Sequence, residues 1–248
     1  MIYFIGAGPG AEDLITVRGA RLLAQAELVI YAGSLVNPAL LSYCREGTRC
    51  LNSASMTLEQ VIGELAACPQ KAIAVRLHTG DPSIYGAIRE QMDALDRLGL
   101  RYEVVPGVSS LFAAAAALKA EYTLPGVSQS VIISRMAGRT PVPQRESIRT
   151  LAQHGSTMAL FLSAGMLSEL CAELMAGGYA PNTPAAVVFK ASWPEQEIVR
   201  GTLATIAGRA SHIRKTALVL IGGFLGDAYE HSRLYDPSFS HSCREAET

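Results

Sequence analysis

Gly6-Ala7-Gly8-Pro9-Gly10-Ala11 follows the short apolar run 2–5, and the reading of this turn decides the fold. A strand entering a glycine-rich turn, with a helical pattern over 16–26 beyond it, opens an α/β unit. Glycines let backbone approach a ligand closely. Amides at a helix start can cradle a pyrophosphate, so a dinucleotide-binding turn is the first candidate. Two features oppose it. Pro9 has no N–H to offer. The second strand, 28–31, ends Ile30-Tyr31-Ala32-Gly33, without the acidic residue that would hold a ribose. A tight turn that simply needs glycine geometry is the plain alternative, and a lone glycine motif does not decide between them.

Outward from this turn, apolar runs alternate with helical patterns. Residues 38–44 read as a short helix and 57–67 as an amphipathic one, with Thr57 and Gln60 in capping-box spacing. Then follow a strand (72–77), a helix (86–98), a strand (102–105) and an alanine-rich helix opening at Ser109. Continuous apolar strands joined by helices predict a mainly parallel sheet covered on both faces. This gives an N-terminal α/β domain over 1–121. Pro125 and Gly126 make 122–129 a linker. Strands at 131–134, 158–162, 185–189, 197–199 and 218–221, with helices at 148–153, 166–176 and 203–210, predict a second α/β domain over 130–225. The neighbouring runs 185–189 and 197–199 suggest a hairpin, hence a mixed sheet. Residues 226–248 read as a loose tail.

Bulk properties narrow the class. A net charge of −1 with no dense basic run excludes a nucleic-acid partner, although a few arginines could still hold a small acidic ligand. The five cysteines are scattered, with no metal-ligand spacing. No metal site is expected, and odd, dispersed cysteines suit the reducing cytoplasm. Neither a signal peptide nor a membrane helix is expected.

Two more loops follow strands. One is Thr79-Gly80-Asp81-Pro82-Ser83-Ile84-Tyr85-Gly86; the other is Val105-Pro106-Gly107-Val108-Ser109-Ser110. In parallel sheets, ligands sit at the carboxyl ends of strands. Each loop alone could be only a turn; three after successive strands form a set. With the first turn, they resemble the tetrapyrrole methyltransferases. Val199-Arg200-Gly201-Thr202-Leu203 and Ala217-Leu218-Val219-Leu220-Ile221-Gly222 are similar to that family's later blocks. The resemblance runs to about residue 223; Ala11 departs from it where many members carry Asp. Tyr31-Ala32-Gly33-Ser34-Leu35-Val36 and the loop 135–143 (Arg-Met-Ala-Gly-Arg-Thr-Pro-Val-Pro) look like the precorrin-4 branch, which methylates carbon 11 of the macrocycle.

The resemblance implies two α/β domains and S-adenosylmethionine as methyl donor, released as S-adenosylhomocysteine. It implies a tetrapyrrole substrate, a homodimer and a role in cobalamin synthesis. Carried over by motif, cofactor contacts fall on Pro9, Thr79, Gly80, Asp81, Ile84, Tyr85, Ser109 and Ser110. In the second domain they fall on Leu162, Ser163, Ala191 and Ala217. Asp81 can accept hydrogen bonds from a ligand or cap the next helix. The macrocycle carries carboxylate arms, which the guanidinium fork suits. Arg135 and Arg139 are therefore candidate substrate contacts, with Tyr31 and Ser34 at the end of the second strand. An electron-rich macrocycle supplies its own nucleophile, so no catalytic triad is needed, and no catalytic residue is assigned. His78, a possible acid or base, reads equally as a structural strand-end histidine. Alternatives are cobalt-precorrin-4 as substrate, methylation at another macrocycle carbon or of a diphthamide precursor, a nicotinamide-dependent oxidoreductase, and a binding protein with a retired site.

Overall fold

The computed structural model describes residues 1–33, 35–69, 71–240 and 242–246, and of Tyr235 the backbone alone. The chain divides into two units, Met1–Ala116 with Lys190–Glu197, and Ala117–Phe189 with Ile198–Thr248.

The first unit is built on strands β1 (Ile2–Gly6), β2 (Leu28–Tyr31), β3 (Arg49–Asn52), β4 (Ala74–His78) and β5 (Tyr102–Val105), in the order β3-β2-β4-β1-β5. All its pairings are parallel. Alternate strand residues enter separate cores. Ile5, Val29, Val75 and Leu77 pack on one side with Leu23 of α1 (Val17–Gln25). Phe4, Ile30 and Ala74 pack on the other with Val61 and Leu65 of α2 (Leu58–Ala67) and Leu95 of α3 (Ile88–Arg97). Burial on both sides is why these strands read as unbroken apolar runs. Thr16 caps α1, and the Thr57–Gln60 capping box closes both its hydrogen bonds. The last helix of this unit, α4 (Ser110–Leu118), follows the third loop.

Several boundaries differ from the sequence reading. Strand β3 has no sequence signal, because an edge strand of Arg-Cys-Leu-Asn is largely exposed. Residues Pro38–Tyr43 form a 3-10 helix. Helix α3 starts at Ile88, two residues later than expected, because Ala87 is left-handed (φ 49°).

The second unit carries β6 (Val131–Arg135), β7 (Thr157–Phe161), β8 (Pro184–Phe189), β9 (Glu197–Thr202) and β10 (Ala217–Ile221), in the order β6-β7-β10-β8-β9. Strands β6 and β7 run parallel, and β10 is antiparallel to both β7 and β8. The sheet is mixed as expected, with β10 in its middle supplying the antiparallel pairs. Helices α5 (Ile148–Ala152), α6 (Leu167–Ala176) and α7 (Ile206–Arg209) cover one core around Met158, Leu160, Leu170, Leu174 and Val187. The helix expected over 203–210 is reduced to the four residues of α7. Residues 122–129 pack on this unit: Thr157 Oγ1 donates to Tyr122 O, and Thr157 N donates to Ser128 Oγ. The tail is held by its own contacts, with Arg244 donating to the carbonyls of Leu234, Asp236 and Phe239. Among the described residues no helix is long and apolar enough to cross a membrane, and no cluster of acidic, His and Cys residues could hold a metal.

Candidate functional site

Strand register gathers the three first-unit loops. Gly6 pairs with His78 and Ile5 with Val105, so β4, β1 and β5 end together. Turn 6–11, loop 79–86 and loop 106–109 thus leave one sheet edge. They also grip one another. Gly8 and Gly80 exchange backbone hydrogen bonds at 3.3 and 2.8 Å, and Ala7 N donates to His78 O at 2.7 Å. A Cβ on Gly107 would stand 2.2 Å from Gly80 O and 2.6 Å from Gly6 Cα. One on Gly86 would stand 2.2 Å from Pro82 O. These glycines are therefore required by backbone packed on backbone, whatever else the loops hold.

Asp81 ties two of the loops together. Its Oδ1 accepts from the amide and hydroxyl of Ser83, and its Oδ2 accepts from Gly107 N at 2.8 Å. Burial pushes the carboxyl up. The bonds from the Ser83 hydroxyl and the Gly107 and Ser83 amides together outweigh it and hold the group below the usual carboxylate range. Asp81 does not cap α3, whose N-cap is Ala87. Ser109 is buried, and its Oγ accepts from Leu111 N at the start of α4. Pro9 and Gly80 are buried, Thr79, Ile84 and Ser110 half-buried, and Tyr85 exposed. Tyr31 ends β2 opposite Leu77, at the same edge. Ser34 lies outside the described residues.

A second edge forms in the other unit. Arg135 pairs with Phe161, and Ala217 with Phe189, so the ends of β6, β7 and β8 and the start of β10 lie together. This places Arg135, Leu162, Ser163 and Ala217 at one sheet edge. Ser163 is fully buried; its hydroxyl donates to Phe161 O and accepts from Met136 N. The guanidinium of Arg135 donates to the carbonyls of Met136, Thr140 and Pro141, stapling its own loop. Arg139, exposed on that loop, has no such partner among the described residues. The two arginines, equivalent in sequence, are thus different in kind.

Ala191 is buried and belongs to the excursion Lys190–Glu197, which clusters with the first unit. Trp193 in this excursion donates its indole N–H to Pro9 O at 2.9 Å, and Ser192 Oγ accepts from Ala11 N at 3.0 Å. Asn37 donates to Gly10 O at 2.8 Å. Sequence reasoning missed all three. The only signal was a lone tryptophan in a loop between two strands.

Backbone strain falls where the carried-over residues are. Non-glycine residues with positive φ include Tyr85 and Leu162, Lys190 and Ser192 on either side of Ala191, and Thr216 just before Ala217. Such conformations persist only where their surroundings over-determine them, and they concentrate at ligand sites. Leu162 is also 66% exposed.

His78 does not join the site. It is buried beside Phe4, and its Nε2 has no hydrogen-bond partner among the described residues. Burial first, and the charge of Arg76 second, push its pKa down to about 3, so it is a neutral core residue. Arg76, buried under α3, donates to Gln91 Oε1 and Ile30 O.

Comparison with known proteins adds a family. The model for tetrapyrrole (corrin/porphyrin) methylases matches residues 1–207. A cobalt-precorrin-4 C(11)-methyltransferase of Methanocaldococcus jannaschii is 51% identical, over 99% of this chain and 96% of that one. A precorrin-4 C(11)-methyltransferase of Pseudomonas aeruginosa is 46% identical over 99% of both. The crystal structure of a cobalt-precorrin-4 methyltransferase of cobalamin biosynthesis superposes with a TM-score of 0.88 at 47% identity, covering 91% of this chain and 96% of that one. A uroporphyrin-III C-methyltransferase from Thermus thermophilus, complexed with S-adenyl homocysteine, superposes at 0.76 with 27% identity, over 90% of this chain and 92% of that one.

Proposed function

We propose, from the premise that this chain belongs to the tetrapyrrole (corrin/porphyrin) methylases, that it methylates carbon 11 of precorrin-4 in cobalamin biosynthesis, using S-adenosylmethionine. The observation that carries this reading is the shared C(11) activity in the names of relatives that match almost end to end. Cobalt-precorrin-4 is the second substrate reading, because one of those relatives is named for it.

The residues fit a sulfonium cofactor. Loops 6–11, 79–86 and 105–110 carry no Lys or Arg, and their one carboxylate, Asp81, stays ionised. A fixed cation there would repel the sulfonium; a carboxylate attracts it. When bound, S-adenosylmethionine supplies an electrophilic methyl and leaves as S-adenosylhomocysteine. The work of the chain is alignment of donor and acceptor. Pro9, Thr79, Gly80, Asp81, Ile84, Tyr85, Ser109 and Ser110 hold the cofactor at the first-unit edge, with Ala191 beside them. Leu162, Ser163 and Ala217 contribute from the second-unit edge, Ser163 by holding loop 136–141 in place. Tyr31 and Arg139 face the macrocycle, and Arg135 shapes the loop that presents Arg139. The reading includes a first domain over 1–121, a linker over 122–129, a second domain over 130–225 and a tail; two sheets with separate cores support it. A homodimer acting in the cytoplasm completes it, on the strength of the sequence resemblance.

The test is incubation of the purified chain with S-adenosylmethionine and either precorrin-4 or its cobalt form. Mass spectrometry is expected to show one added methyl, and the larger kcat/KM identifies the substrate. No mass gain with either would overturn the assignment.

A further inference from the structure

We infer that Trp193 is a positioning residue for the cofactor: its indole N–H, aided by the Ser192 hydroxyl, fixes turn 8–11 in the shape that receives the methyl donor. This rests on the methyltransferase reading above. Each residue of the turn is anchored through its backbone. Gly8 is paired with Gly80, Pro9 O accepts from Trp193, Gly10 O accepts from Asn37, and Ala11 N donates to Ser192. Two of these four anchors come from residues more than 180 positions away in sequence. The third glycine of the motif is explained by the same contact, since a Cβ on Gly10 would fall 1.9 Å from Trp193 Cδ1. Gly10 is therefore a seat for the indole.

The indole is itself held. Lys190 Nζ lies 4.9 Å over its ring and pairs with Glu195 at 3.4 Å. Lys190 and Ser192 both take positive φ, 45° and 68°. The excursion is thus bent sharply on both sides of Ala191, and the bend delivers Ser192 and Trp193 to the turn. A turn with its polar groups committed to the protein offers the cofactor a fixed surface, with little reorganisation left for binding. Pro9 serves here through its carbonyl, so its missing N–H loses nothing.

The test uses Trp193→Phe and Ser192→Ala in the full-length chain. Phenylalanine keeps a ring over Gly10 but removes the donor to Pro9. Calorimetric titration with S-adenosylhomocysteine is expected to give a Kd raised about five-fold for Trp193→Phe, the size of one lost hydrogen bond. KM for S-adenosylmethionine rises in parallel while kcat stays within about two-fold, the signature of binding lost equally from the ground state and the transition state. Ser192→Ala moves the same constants the same way by less, and Trp193→Tyr, which restores no donor at the indole nitrogen, behaves as Phe. Trp193 is the sole tryptophan, so its fluorescence is expected to change when wild-type chain takes up S-adenosylhomocysteine. A Trp193→Phe protein with wild-type Kd and KM, and only a lowered melting temperature, would overturn the inference and leave the methyltransferase reading intact. Wild-type chain that takes up no S-adenosylhomocysteine would overturn the reading and the inference together.

Discussion

The two sheet edges hold their loops by different means. At the first-unit edge, backbone meets backbone: Gly6 and Gly107 press on each other and on Gly80 O with no room for a Cβ on either, and Asp81 ties loop 79–86 to Gly107. At the second-unit edge, loop 136–141 is held by side chains, through the Arg135 fork and the Ser163 hydroxyl. A Cβ on Gly138 in that loop would meet only Met166 Cε, at 3.7 Å. On the proposed reading, the first edge presents one small cofactor in one pose, which a fixed backbone favours. On the same reading, the second loop meets a large, many-armed macrocycle, and replaceable side chains can hold it and still present a charge.

The largest expected effect breaks the first edge. Gly107→Ala drives a methyl into Gly80 O, so it is expected to cost about 2–3 kcal/mol in stability and to weaken S-adenosylhomocysteine binding more than ten-fold. Gly138→Ala, its counterpart in the other loop, is expected to stay within about 0.5 kcal/mol. Urea unfolding and calorimetry on the pair check the contrast; equal effects would erase it.

Asp81→Ala comes next. It leaves Gly107 N without its acceptor, at about 1 kcal/mol for a half-buried group, and lowers cofactor affinity while the chain stays folded. An unchanged calorimetric Kd would make Asp81 a loop staple alone.

Acid sharpens the contrast within the first unit. His78 is held neutral with its pKa near 3, against an ordinary 6.5. The unfolded chain takes up a proton that the folded chain refuses, so stability falls as pH drops below about 6.5 and continues falling towards 3. Asp81, depressed in the fold, adds a loss below the ordinary carboxylate range. His78→Leu removes the first part and a buried nitrogen that has no partner among the described residues. Its unfolding midpoint is expected to equal or exceed wild type at neutral pH and to fall less steeply in acid. Loss of turnover in folded His78→Leu would instead give the histidine a catalytic part.

The smallest effect is reserved for Arg139→Ala. Stability and cofactor Kd stay at wild type, while KM for the macrocycle rises up to about five-fold, the range of one solvent-exposed ion pair. Arg135→Ala differs by loosening the loop itself, visible as faster amide exchange across 136–141.

What the sequence made legible was local or periodic. The buried strands of both sheets showed as apolar runs, and the Thr57–Gln60 box as a spacing of three. The three loops at the first edge followed from their place at the carboxyl ends of parallel strands. The exposed strand β3 left no pattern, since nothing in Arg-Cys-Leu-Asn marks an edge. The uses of Arg135 and Ser163 depend on carbonyls and amides that only the fold brings near. The Trp193–Pro9 bond spans 184 positions, and no periodicity encodes such a contact.

The most direct test of the central claim is to place the transferred methyl. Wild-type chain is supplied with carbon-labelled methyl on S-adenosylmethionine and with whichever form of precorrin-4 it turns over, and the product is read by carbon NMR. The account predicts one labelled methyl, on carbon 11, with one S-adenosylhomocysteine released per methyl transferred. A label on any other macrocycle carbon, or no label on the macrocycle, would contradict it.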